Sequence, residues 1–187
     1  MKRFLPLLIL TPGMALAHAG DHGTAPFAAG LLHPVGGTDH LLAMVAVGLW
    51  AAGSGGRAVW ALPLSFVAAM LVGGLLGAWG VPLPGVEPMI LASVILIGVA
   101  AALAFNPGLV LSGLAVALFG LFHGHAHGTE GPVSDLAQYA LGFSLATMAL
   151  HGLGLAIGLG LTRVSQTGLL RGLGGATAIA GLALAMT

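Results

Sequence analysis

The chain has no cysteine, few charges and few aromatic side chains, and each shortage narrows what it can be. Without cysteine there are no disulfides and no thiolate metal sites, so any bound metal must be held by nitrogen and oxygen. Charged residues make up only 5% of its 187 residues, against about a quarter in an ordinary soluble domain. The five basic residues are balanced by five acidic ones, which leaves no basic surface for nucleic acid. A G-x-x-x-x-G-K-[ST] phosphate loop is also missing, and with it the usual sign of a nucleotide-driven machine.

What is abundant is apolar surface and glycine. Hydrophobic residues reach 58% and glycine contributes 32 positions, with a mean hydropathy of +1.06. So much glycine would weaken soluble helices, whereas in lipid small residues let helix backbones approach closely. The composition predicts one all-α, polytopic membrane domain of six transmembrane helices.

Residues 1–17 read as a cleavable signal peptide. Lys2 and Arg3 form a basic start, Phe4 to Leu10 an apolar stretch too short to span, and Ala15-Leu16-Ala17 a cleavage pattern. The membrane domain is then 18–187, with spans expected at about 27–52, 58–79, 87–105, 109–123, 133–161 and 169–186. Counted alternately, Arg57, Arg163 and Arg171 fall on one side and Glu87, Glu130 and Asp135 on the other. The positive-inside rule makes the arginine side cytoplasmic, which agrees with an exported N-terminus. The expected location is the bacterial inner membrane, with the mature N-terminus periplasmic. Gly73–Gly77 and Gly154–Gly158 have the spacing of tight helix packing.

Against this apolar background two polar clusters stand out. Residues 33–40 read H-P-V-G-G-T-D-H, and residues 122–130 read F-H-G-H-A-H-G-T-E. Ionisable groups in hydrocarbon cost roughly 2.5–3.5 kcal/mol each, so they mark functional sites by default. On a regular helix His33 and His40 would share a face but lie ~10 Å apart along the axis. Pro34 and Gly36–Gly37 offer places for the backbone to loosen, and a break is tolerated where it lines a cavity. His123 and His127 share a face if the helix continues, at chelating separation. His125 points elsewhere, and Glu130 adds a carboxylate. His151, in the fifth span, is equally readable as a ligand or an interhelical hydrogen-bond partner. His18, beside His22, would open the mature chain with both an amine and an imidazole. The candidate metal ligands are therefore His18, His33, Asp39, His40, His123, His125, His127, Glu130 and His151. No catalytic residue and no resident cofactor is expected; the metal is cargo.

His33-x5-Asp39-His40 together with the 122–130 motif resembles the HupE/UreJ family of hydrogenase- and urease-accessory membrane proteins, regarded as nickel permeases. That resemblance implies uptake of Ni²⁺, with Co²⁺ or Zn²⁺ as alternatives, on behalf of nickel-enzyme maturation machinery. It makes His33, Asp39, His40, His123, His127 and Glu130 the residues on which transport depends, and puts His125 at a variable position. Lipid, the metal ion and another copy of the chain in a homo-oligomer are the expected partners. Two competing readings are an intramembrane zinc hydrolase with Asp39 as base, and a non-transporting periplasmic metal sensor or assembly partner. Imidazole must be deprotonated to bind a metal, so uptake is expected to fall as pH drops through the ordinary histidine range near ~6.5. Initial rates of nickel uptake into vesicles between pH 5.5 and 7.5 check this; a rate rising toward the acid end would contradict it.

Overall fold

A computed structural model describes residues 25–132 and 135–187. The signal-peptide segment, His18 and His22 lie outside these residues. Seven α-helices follow in order: α1 (Pro26–Gly36), α2 (Thr38–Ser54), α3 (Ala58–Ala78), α4 (Val86–Ala102), α5 (Leu109–Glu130), α6 (Leu136–Arg163) and α7 (Thr167–Leu184). There is no strand among the described residues.

The connections end helices where the sequence breaks periodicity. After α2 the chain reverses through Gly55 and Gly56, both at positive φ (68° and 54°), a conformation that glycine takes without a Cβ clash. Two departures from the expected spans affect the polar clusters. The first span is not one helix but two, α1 and α2, meeting at 83° around Gly37. The fourth does not stop at His123: α5 runs on to Glu130, so all three of its histidines are helical.

Helices α3, α5, α6 and α7 are each long and apolar enough to cross a membrane, and the bent pair α1–α2 makes a fifth candidate. Helix α4 is apolar but shorter, at 17 residues. Leu71, Val72, Leu114, Leu118, Leu145, Leu153 and Ile179 face outward around the bundle. In water such an apolar girdle would drive aggregation; in lipid it matches its solvent. The chain is a multi-pass membrane protein.

Glycines set the internal packing. A Cβ on Gly73 of α3 would strike the Leu121 carbonyl of α5, and one on Gly124 of α5 would strike the Met70 carbonyl of α3. The same reciprocity joins α2 to α6 through Gly48 and Gly154, and α4 to α7 through Gly98 and Gly174. Backbones in these pairs touch directly, which is the packing role that the Gly73 and Gly154 spacings suggest. Between the pairs the core is filled by Met44, Leu62, Phe66, Met70, Ile90, Ile97 and Phe143, together with His123, His127 and His151.

The two ends of the bundle differ in charge. Arg57 lines one cavity with Asn106 and Gly108, and Arg171 Nε donates to the Ala102 carbonyl at 2.7 Å. Glu130 ends α5 at the opposite end, and Glu87 lies in the first turn of α4, which follows the α3–α4 connection bonded to His125 of α5.

Substituting Gly124→Ala should cost about 1–3 kcal/mol of stability, because the backbone contact with Met70 must open to admit the methyl group. Gly152→Ala, where nothing lies within 4 Å, should leave stability unchanged or slightly raised. Thermal unfolding of the two detergent-solubilised variants checks the contrast.

Candidate metal-ion path

The bend at Gly37 brings His33 and His40 together on a common neighbour. The rings of His33, on α1, and His40, in the first turn of α2, both flank His127 of α5, with centroids at 4.7 and 4.8 Å. His40 also stands 4.8 Å from His123, one turn below His127 on α5. Four imidazoles from three helices thus form one contiguous file, and only the kink makes this possible.

Carboxylates are attached at two points. Asp39 Oδ1 accepts the His40 backbone N–H at 2.8 Å and faces His40 Nδ1 at 2.9 Å. Its charge sits at the N-terminus of α2, where the unpaired N–H groups of a helix favour an anion. A carboxylate can only accept, so Nδ1 carries the proton and His40 Nε2 keeps its lone pair. His33 Nε2 and Glu130 Oε2 pair at 3.1 Å at one end of the bundle.

Exposure differs among the members of the file and its two carboxylates. The Glu130 and His33 side chains are 57% and 33% exposed, Asp39 and His40 24% and 15%. His123 and His127 are wholly buried, and His151 is 1% exposed. The more exposed groups belong to α1, the start of α2 and the end of α5, and the buried ones are the imidazoles further inside α5 and α6.

Buried polar atoms are normally hydrogen-bonded, and each one left without a partner costs about 1–3 kcal/mol. Yet His40 Nε2, His123 Nδ1 and both ring nitrogens of His127 and of His151 are buried without a hydrogen-bond partner among the described residues. Such a concentration of bare imidazole nitrogen, with carboxylate nearby and no thiolate, suits a borderline divalent cation. Among the described residues no three His, Asp or Glu side chains are arranged to hold one ion together. The ligands form a succession of neighbouring stations rather than a closed cage. A zinc hydrolase needs three ligands in one compact site with an open position, and gains no support from this geometry.

Two expected ligands stand apart from the file. His125 is turned to the other side of α5, where its Nε2 meets the Val81 carbonyl at 2.7 Å and ties down the α3–α4 connection. His151 lies deeper, separated from His123 by the ring of Phe66, whose centroid is 5.2 Å from one and 5.1 Å from the other. Phe66 and Ser93, whose Oγ is 3.0 Å from His123 Nε2, escape a reading of the sequence. Phe66 is one apolar residue among many. Ser93 is a lone hydroxyl in an apolar run, a signal too common in membrane helices to single out.

Helices apolar on their outer faces around a buried file of imidazoles, with carboxylates at one end, define a polytopic membrane protein with a titratable interior. The chain belongs to the HupE/UreJ family: the model described as "HupE / UreJ protein" matches residues 6–184. It is similar to the protein named "Protein HupE" from Rhizobium leguminosarum bv. viciae, with 45% identity over 176 residues covering 92% of this chain and 91% of that one. No solved structure matches.

The position of His125 yields a sharp contrast. His125→Ala should lower stability by about 1 kcal/mol through loss of the Val81 hydrogen bond, while nickel affinity stays within twofold of wild type. His127→Ala should weaken nickel binding at least tenfold. Titration calorimetry and thermal unfolding on the same preparations check both.

Proposed function

We propose that this chain carries a divalent transition-metal ion, Ni²⁺ first and Co²⁺ second, from the periplasm to the cytoplasm across a bacterial inner membrane. The cargo supplies the maturation of nickel enzymes. The observation that supports this most directly is the juxtaposition made by the Gly37 bend: His33 and His40 both against His127, with Glu130 and Asp39 attached. In this reading an ion is attracted by Glu130, exchanges water for the imidazole nitrogens of His33, His127, His40 and His123, and passes inward toward His151. Successive stations favour transport because no single site holds the ion tightly enough to trap it.

The reading has six crossings, counting α1–α2 as one and α4 as another, with the cleaved N-terminus outside. The arginine end, bearing Arg57 and Arg171, is then cytoplasmic, in keeping with the positive-inside rule. Membership of the HupE/UreJ family and the 45% identity to the Rhizobium protein support this reading through the family resemblance. With no nucleotide-binding loop in the sequence, movement follows an existing gradient.

Asp39→Ala removes the acceptor that orients His40, and loss of such an outer partner typically costs 10–100-fold in metal affinity or activity. Uptake of radioactive nickel by cells expressing this variant should fall at least tenfold at unchanged protein level in the membrane. Uptake equal to wild type would overturn the role given to this carboxylate.

A further inference from the structure

We propose that Ser93 is a positioning residue for the metal path: its hydroxyl holds His123 in the tautomer protonated at Nε2, leaving Nδ1 as the atom that ligates the ion. The inference rests on the reading of His123 as a ligand but concerns a residue on a different helix, outside both histidine motifs.

The argument is a count of protons. Ser93 is wholly buried on α4, and its Oγ has two partners: the Ile90 carbonyl oxygen at 2.6 Å and His123 Nε2 at 3.0 Å. A serine hydroxyl owns one proton. The Ile90 carbonyl can only accept, so that proton is committed to it. Ser93 Oγ therefore meets His123 Nε2 as an acceptor, and Nε2 must be the protonated nitrogen. A neutral imidazole carries one proton, which leaves the lone pair on His123 Nδ1. That atom is buried and has no hydrogen-bond partner among the described residues, in a ring 4.8 Å from His40.

His40 is treated in the mirror sense. There Asp39 accepts from Nδ1 and frees Nε2. The two neighbouring imidazoles thus present opposite nitrogens, one set by a carboxylate and one by a hydroxyl. A charged partner makes an imidazole a stronger donor to metal than a neutral one does. Asp39–His40 is accordingly the tighter station, near the mouth, and Ser93–His123 the weaker one, deeper in. A weaker inner station releases its ion more readily than the outer one, and replacing the neutral Ser93 by a carboxylate would remove that difference.

The test uses the full-length chain in detergent, labelled with ¹⁵N-histidine and free of metal, with resonances of His123 assigned from a His123→Gln variant. Long-range ¹H–¹⁵N correlations report which ring nitrogen is protonated. Wild type should show His123 protonated at Nε2. Ser93→Ala should lose that preference and, in vesicles, take up Ni²⁺ about tenfold more slowly, the size typical of losing an outer partner. Ser93→Thr, which keeps the hydroxyl, should restore both. A wild-type His123 protonated at Nδ1 would overturn the proposal. So would a Ser93→Ala protein with unchanged tautomer, whatever its uptake, because a merely structural loss would lower uptake without moving the ring proton. Failure of wild-type protein to take up Ni²⁺ would instead count against the transport reading, since the tautomer is measured without metal.

Discussion

Gly37 interrupts the helical hydrogen-bond ladder between Gly36 and Thr38, and the chain turns there by 83°. In an unbroken helix His33 and His40 would point the same way from levels ~10 Å apart, and no single residue on a neighbouring helix could touch both. Turned on itself, the segment closes around His127 from two directions. The same break frees an N-terminus at the start of α2, where Asp39 sits favourably and takes the His40 backbone N–H. One local interruption thereby places two imidazoles, installs a carboxylate in apolar surroundings and steadies that carboxylate's charge.

The bend would achieve little if α5 were not held in a fixed register beside it. That register comes from direct backbone contact. Gly73 on α3 and Gly120, Gly124 and Gly128 on α5 meet the opposing carbonyls so closely that a methyl group would not fit. Small residues (Gly124, Ala126 and Gly128) are interleaved with His123, His125 and His127 along this end of α5, and this division of labour explains the motif's composition. The glycines face α3 and set distance. His123 and His127 face the interior with α2. His125 is spent on the Val81 carbonyl, tying down the chain where it leaves α3.

The interior that results is polar in an unusual manner. Most buried polar groups in membrane bundles bond across helices and act as glue. Here several ring nitrogens have lone pairs in place of partners, while the protonated nitrogens of His40 and His123 are committed to Asp39 and Ser93. The outer partners thus decide which ring atoms face the interior, where Glu130 and His33 are the most exposed of these groups and His123 and His127 are buried. The arrangement combines charge at the mouth with neutral nitrogen further in.

Much of this was legible in the chain itself. Hydropathy defines the membrane class, since apolar runs of this length have no soluble use, and the break residues Gly55, Gly56, Gly80, Gly85 and Gly108 lie where the helices end. The two polar clusters mark side chains that the bundle must withdraw from lipid, because ionisable groups are too costly in hydrocarbon to be incidental. Tertiary structure decided the remainder. Periodicity treats each segment as a straight helix, so it could not show that Gly37 turns α1 away from α2, or that α5 continues through its histidines. Nor could spacing reveal Phe66 and Ser93 as neighbours of His123, because those contacts join residues that are far apart in sequence and carry no local signature. Local composition determines which side chains must leave the lipid; only the packing of distant helices determines which of their atoms meet.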